Sequence, residues 1–400
     1  MEIQGKTAKA VIFTENIEDA ALMWLKDLCN HPAMEGMKVW QMPDVHAGMN
    51  CNVGTAYEIG NYINPDHVGA DIGCTVSLHR LSARVKSEDF ALLDHRIREA
   101  IPMGNNLCGR NTLNEKELFK FINSYYQRAK SVAPDLIQDV ARVDSRFITD
   151  FCRRLKLQEG TFYKGLGTLG GGNHFIEYGE EDDGTPWLSI HCGSRNLGVK
   201  VASHWHNIAA NPKRGLYMGF LWGDAMCGYF SDMVVAQAYS LYNHRIIRDR
   251  IMAIVKKLCK ARCEESVFSM HNYISLDGGT PVLRKGAISA GKGERVAIPL
   301  NMADGIALGF GKGNADWLNT APHGAGRRLS RAQARKILNE SEFRHAMDGV
   351  FSTSICAGTL DESPMAYKPS VEILELIEPT VEVTGIIRPK LNIKDVSGKI

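Results

Sequence analysis

Apolar residues recur at helical spacing in only a few stretches of this chain. Ile17, Ala21, Trp24, Leu25 and Leu28 would share one helix face, with Asn16 placed as its N-cap. Phe90, Leu93, Ile97 and Ile101 repeat that spacing behind Ser87. Residues 224–260 read as one long or broken helix, and a short helix carrying Ala334, Ile337 and Leu338 follows Ser330. Strand-like runs are brief: Lys9–Thr14, Val76–Leu81, Trp187–Ile190, Gly286–Ile288 and Val381–Ile387. Helices and strands do not alternate regularly, so the pattern predicts an α+β fold rather than a regular βαβ winding.

The chain has 400 residues, 44% apolar and 23% charged, which suits a globular protein with a large core. No repeat, linker or shift in composition marks a boundary. The expectation is therefore one domain over 1–400 with a helical insertion around 200–265. A net charge of +2 excludes nucleic-acid binding by bulk charge but leaves room for a local patch. The N-terminus lacks a signal-like stretch and no run is long and apolar enough to span a membrane. The ten cysteines are scattered without a CxxC pair. They read as reduced thiols, and the expected location is cytoplasmic.

Of thirteen histidines, His31, His79, His95, His204, His206, His244 and His345 sit among ordinary surface or amphipathic residues. A structural role is expected for these, and by default for His67. Five others lie in glycine-rich or polar loops: His46, His174, His191, His271 and His323. A metal site needs several such groups from separate segments. In VGADIGC (68–74), Asp71 and Cys74 are bracketed by glycines and could face one point. Carboxylate, imidazole and thiolate together suit a borderline divalent metal, and a thiolate can bridge two ions. The alternative is a glycine turn with a buried thiol. GLGTLG (165–170) matches a dinucleotide fingerprint, but no clear strand precedes it and no helix start follows. In APHGAGRRLSR (321–331), backbone N–H groups and the Arg327 fork could hold a phosphate beside His323. A solvated basic helix face fits the same residues.

Taken together, MPDVHAG (42–48), VGADIGC (68–74), LGTLGGGNHFIE (166–177), HCGSRNLG (191–198), HNY (271–273), RKGAISA (284–290), PHGAGRRLSR (322–331), PMAYK (364–368) and the terminal Gly398-Lys399 resemble the RtcB family of RNA ligases. The resemblance runs from residue 42 to the end. It implies an RtcB-like fold with mixed β-sheets around a central metal and nucleotide site. It also implies a GTP- and manganese-dependent ligase. Such an enzyme joins RNA ends bearing a 3′-phosphate or 2′,3′-cyclic phosphate to 5′-hydroxyl ends, in RNA repair or tRNA splicing. His323 would form a histidine–GMP intermediate, and an RNA-(3′)pp(5′)G end would follow. Two Mn²⁺ ions would be held by Asp71, Cys74, His174, His191 and His271, with Cys74 as the bridge. His46 is not carried over as a ligand.

The same resemblance assigns the nucleotide to Asn173, Phe175, Glu177, Asn301, Ala325, Gly326, Arg327, Tyr367 and Lys399, and Arg195 to RNA or phosphate. Arg284, Lys285, Lys292, Arg295, Arg328 and Arg331 are further basic candidates. The run Pro299-Leu300-Asn301-Met302-Ala303-Asp304-Gly305 departs from the family's usual P-G-S-M-G loop, His191-Cys192-Gly193-Ser194-Arg195-Asn196 departs from H-S-G-S-R-G, and 105–160 matches poorly. These changes point to a divergent bacterial paralogue, whose partners would include a release-factor homologue or archease. Two other functions fit parts of the pattern. A two-metal RNA-end phosphodiesterase or phosphatase would need the ligands but not His323. An RNA-binding paralogue would need neither.

Overall fold

In the computed structural model, which describes residues 1–109, 113–211, 218–276 and 279–396, the brief strand-like runs extend and pair into two large sheets. One has six strands: Glu2–Gln4, Lys9–Ile12, Lys38–His46, Val53–Glu58, Val282–Lys285 and Asn272–Ser275, in that spatial order. Only the Lys9–Ile12 and Lys38–His46 pair is parallel. The other sheet has seven antiparallel strands: Arg295–Asn301, Gly305–Gly311, Val381–Ile393, Phe175–Glu180, Pro186–Cys192, Thr75–Leu81 and Cys263–Met270. A small ladder, Ala287–Ser289 with Thr320–Pro322, is a third sheet.

Thr75–Leu81 sits inside the larger sheet and is buried along almost its whole length. Its polar residues survive there because they are bonded. Ser77 Oγ meets His244 Nδ1 at 2.8 Å, and His79 Nδ1 meets Ser266 Oγ at 2.8 Å. His79 and His244 are thus structural, but in the core rather than on an amphipathic surface. His67 is likewise buried, its Nδ1 2.8 Å from the Tyr57 hydroxyl.

The 224–260 stretch forms one unbroken helix, Gly223–Cys259. From Gly228 to Ser240 it is buried on every face, including Tyr229, Phe230, Ser231, Asp232, Met233 and Val234. A helix surrounded in this way is a core element. Asp232 is tolerated because Arg154 binds both of its oxygens, at 2.6 and 2.7 Å, and Trp205 Nε1 donates at 2.7 Å. The first helix runs Asp19–Cys29 with Glu18 at the cap position, so Asn16 is not its N-cap. The Asn16 amide donates to Glu372 instead, at 3.2 Å. Ser330 caps Arg331–Ile337 through a reciprocal bond pair with Gln333. Ala334 is buried on that helix, whereas Ile337 is 59% exposed. GLGTLG lies between the helix Glu159–Lys164 and the strand Phe175–Glu180, which is the reverse of a dinucleotide-binding strand–turn–helix. No helix of the described residues is long and apolar enough to cross a membrane.

Candidate metal and nucleotide site

Five side chains from four segments converge where the two sheets meet. Asp71 and Cys74 come from the turn before Thr75–Leu81, His174 from the residue preceding Phe175–Glu180, and His191 from Pro186–Cys192. His271 lies between Cys263–Met270 and Asn272–Ser275. The Cys74 sulfur is 3.2 Å from His191 Nε2 and 3.5 Å from His174 Nε2. His174 Nε2 is 3.0 Å from Asp71 Oδ2, and the Nε2 atoms of His191 and His271 are 3.2 Å apart. Room for the Asp71 carboxylate exists because residue 193 is glycine: a Cβ there would lie 2.0 Å from Asp71 Oδ1.

The outer nitrogens decide which lone pairs face inward. His174 Nδ1 lies 3.0 Å from the Leu169 carbonyl, and His271 Nδ1 3.4 Å from the Ser269 carbonyl. A carbonyl only accepts, so both Nδ1 atoms carry the proton and both Nε2 atoms are free to ligate. Burial, reinforced by neighbouring imidazoles, pushes His191 and His271 well below the usual histidine range, so both are neutral. Burial, and then the Asp71 carboxylate, pushes the Cys74 thiol well above its usual value. Such a thiol keeps its proton until a metal ion displaces it. One thiol, one carboxylate and three imidazoles are the donor set of a borderline divalent ion. Cys74, His174 and His191 by themselves bring three ligand atoms within 4.8 Å of one another.

His323 stands at the edge of this cluster, its ring centroid 4.8 Å from that of His271. Its Nδ1 is 2.7 Å from Oδ2 of Asp44, a fully buried carboxylate. Nδ1 therefore donates, and the Nε2 lone pair is left for a substrate. Asp44 belongs to the MPDVHAG block, but the sequence reading drew attention only to the histidine. His46 turns its Nδ1 to the Asp44 carbonyl at 2.9 Å and lies outside the ligand set. The glycine of HGAGR has a steric reason. Gly326 has φ +75°, and a Cβ there would lie 2.3 Å from the Asp44 carbonyl oxygen.

A cavity of about 770 Å³ opens over His191, His271 and His323. Asn173, Phe175, Glu177, Asn301, Ala325, Gly326, Arg327 and Tyr367 all line it. The Arg327 guanidinium lies 4.9 Å from the Tyr367 ring centroid and 3.2 Å from its hydroxyl. Asn301 reaches the cavity but spends its side chain on its own turn. Its Oδ1 accepts from the backbone of Ala303 and Asp304 at 2.9 Å each, and its Nδ2 donates to Asp304 at 2.7 Å. Asp304 also takes the Ser370 hydroxyl and is not among the residues that line the cavity.

Lys399 lies outside the described residues. A lysine near the end of the chain that does face the cavity is Lys394, directly after the strand Val381–Ile393. Its ammonium is 2.9 Å from Glu362 Oε2, 3.2 Å from the Asn173 carbonyl and 5.5 Å from the Phe175 ring. Glu362 was also missed. It is buried and binds Lys394, Arg331 at 2.5 Å and the Tyr367 hydroxyl at 3.0 Å. Burial opposes its ionisation, but Lys394, Arg331 and Arg327 outweigh that and hold it well below the usual carboxylate range. The signal for both residues was position: Lys394 ends a long strand, and Glu362 precedes PMAYK by two residues.

Arg195 is not in this cavity. It lines a second one, of about 540 Å³, that shares Asp71, Asn173 and His174 with the first site. Its guanidinium donates to the Gly104 carbonyl at 2.9 Å. Part of the expected basic patch dissolves. Arg284 is buried and bonded to Thr320 at 3.0 Å, Arg295 pairs with Glu265, and Arg331 pairs with Asp361 and Glu362. Lys285 lines the large cavity instead of an outer surface.

The profile of the family described as tRNA-splicing ligase RtcB matches residues 25–395. The chain belongs to the RtcB family. It is 29% identical to the RNA-splicing ligase RtcB1 of Escherichia coli (strain ATCC 25922), over 88% of this chain and 89% of that protein. It is 27% identical to the RNA-splicing ligase RtcB of Escherichia coli K12, with the same coverage. The tRNA-splicing ligase RtcB of Nanoarchaeum equitans is 28% identical over 84% of this chain and 83% of that protein. The RtcB match ends one residue beyond Lys394 and short of Lys399.

Proposed function

We propose that this chain uses GTP to join an RNA 3′-phosphate or 2′,3′-cyclic phosphate end to a 5′-hydroxyl end through a histidine–GMP intermediate on His323. Membership of the RtcB family makes it an RNA ligase. The observation that carries the mechanism is the Asp44–His323 pair, poised between the ligand cluster and the Gly326–Arg327 turn. With Nδ1–H held by Asp44, the His323 Nε2 lone pair attacks the α-phosphorus of GTP. The bond to the β-phosphate oxygen breaks and pyrophosphate leaves. A cyclic phosphate end is first opened by water to a 3′-phosphate. An oxygen of that 3′-phosphate then attacks the histidine-bound phosphorus, freeing His323 and forming an RNA-(3′)pp(5′)G end. The 5′-hydroxyl attacks the 3′-phosphorus, and GMP leaves with the bridging oxygen.

Asp71, Cys74, His174, His191 and His271 would hold two divalent ions, manganese in our reading. Bound there, the ions supply charge neutralisation on the phosphoryl oxygens. The Ala325 and Gly326 backbone and the Arg327 fork face the phosphates. Lys394 takes the nucleotide role that the sequence assigned to Lys399. We read 1–400 as one catalytic domain, because both sheets and the long helix support a single cluster. From that helix Ser240 donates to the Gly73 carbonyl at 2.6 Å, one residue before Cys74.

The test is covalent capture. The protein, with Mn²⁺, is incubated with GTP labelled at the α-phosphate, denatured and examined for label. An acid-labile, alkali-stable adduct is expected. It should be absent in His323→Ala and should form about 10²-fold or more slowly in Asp44→Asn, which retains the shape but not the charge. A wild type that takes no label from GTP or ATP would sink the guanylylation step. Cyclic-phosphate opening without label would then identify a two-metal hydrolase.

A further inference from the structure

One wall of the large cavity holds two buried polar atoms that nothing among the described residues satisfies. Glu177 and Asn392 face each other across the pair Phe175–Glu180 and Val381–Ile393. They are 2% and 1% exposed, and both line the cavity. The Asn392 amide nitrogen donates to Glu177 Oε2 at 2.7 Å. That bond orients the amide, because the carboxylate oxygen needs a donor. Left over are Glu177 Oε1 and Asn392 Oδ1, both without a partner. Buried polar atoms are almost always paired, so two neighbouring orphans on a cavity wall mark the place of a missing donor pair.

A third group completes the edge. Lys394 follows Asn392 by two residues on the same wall. Its ammonium has three hydrogens, and two are used by Glu362 and the Asn173 carbonyl. Without a ligand, burial keeps a proton on Glu177; once a donor pair displaces that proton, the wall offers two acceptors and one spare donor. The Watson–Crick edge of guanine offers the reverse: the 2-amino group and N1–H donate, and O6 accepts. Adenine brings an N1 lone pair to an acceptor and has no 2-amino group. Hypoxanthine keeps N1–H and O6 but leaves one acceptor bare.

Building on the reading of this cavity as the nucleotide site, we propose that Asn392 is a purine-selecting residue whose Oδ1 accepts a hydrogen of the guanine 2-amino group beside Glu177. Loss of that hydrogen leaves a buried oxygen unpaired, which weakens binding by about ten- to a hundredfold.

The experiment compares equilibrium binding of GTP, ITP and ATP to the full chain with Mn²⁺, in the wild type and in Asn392→Leu. ITP is GTP without the 2-amino group. The wild type should prefer GTP over ITP by about ten- to a hundredfold. Asn392→Leu should bring GTP down to the level of ITP and move ITP by less than twofold. Were Asn392 only a prop for Glu177, GTP and ITP would weaken together and their ratio would persist, which overturns the assignment. Equal wild-type affinities for GTP and ITP overturn it without any variant, so a poorly folded mutant cannot hide the answer. Selective GTP binding without a covalent adduct would leave this assignment standing and defeat the ligase mechanism. No binding of any purine nucleotide defeats the assignment.

Discussion

Glu177 shows how burial at a single residue sets both chemistry and stability. Burial pushes its carboxyl up to about 8, with Asn392 and Lys394 offsetting only part of the shift. The folded chain therefore holds a proton that the unfolded chain gives up near the ordinary value of 4.5. The stability linked to that proton is fully present below the unfolded value and is lost as pH rises through about 8. Glu177→Gln, which cannot ionise, should gain on the wild type in thermal unfolding as pH rises from 5 to 8.5, measured without nucleotide. A melting-temperature difference independent of pH would show that the side chain stays charged. At the same scale, the histidines in glycine-rich or polar loops were legible from their immediate sequence neighbours. Asp44, Glu362 and Lys394 were not, because a carboxylate or ammonium looks like surface charge until the fold buries it against a partner.

Among the elements, the long helix Gly223–Cys259 matters most to the site it does not enter. Asn243 on it donates to Cys192 Sγ at 3.1 Å and accepts from the Gly167 backbone at 2.7 Å, tying the helix to two of the loops around the cluster. Phe230 is fully buried on it. Phe230→Ala should cost about 3–5 kcal/mol of folding stability, read by denaturant unfolding, because the surrounding helices cannot close the void. A loss below about 1 kcal/mol would mean that this part of the core is loosely packed. This helix was visible in sequence through its length, but its burial was not, since buried polar residues such as Asp232 and Gln237 interrupt its apolar pattern. Strands suffered more. Lys38–His46, Val53–Glu58, Phe175–Glu180 and Gly305–Gly311 are buried over most of their length and so lack the alternation that marks a half-exposed strand.

Over the whole molecule, the ligand cluster joins segments far apart in the chain, as with Cys74 and the two histidines 100 and 117 positions away. A metal ion bound to native but not to unfolded chain must therefore stabilise the entire fold. Cobalt(II) titration should raise the melting temperature and produce a thiolate-to-cobalt charge-transfer band near the ultraviolet. Cys74→Ala should lose that band, and chelation should reverse both effects. A band that survives in Cys74→Ala would place the thiolate at another of the chain's ten cysteines.

The sequence by itself determined the chemical inventory. Short motifs in which histidines and a cysteine stand among glycines carry the family and the candidate donor types. Tertiary structure decided which of them meet. It set Asp44 behind His323, brought the inward-facing Nε2 atoms of His174 and His271 to one cluster, and buried Arg284 that had looked free to bind RNA. It brought Lys394 and Asn392 to a wall built by a strand from elsewhere in the chain. Those outcomes depend on strand register and on burial between sheets, and neither is written in any local stretch of residues.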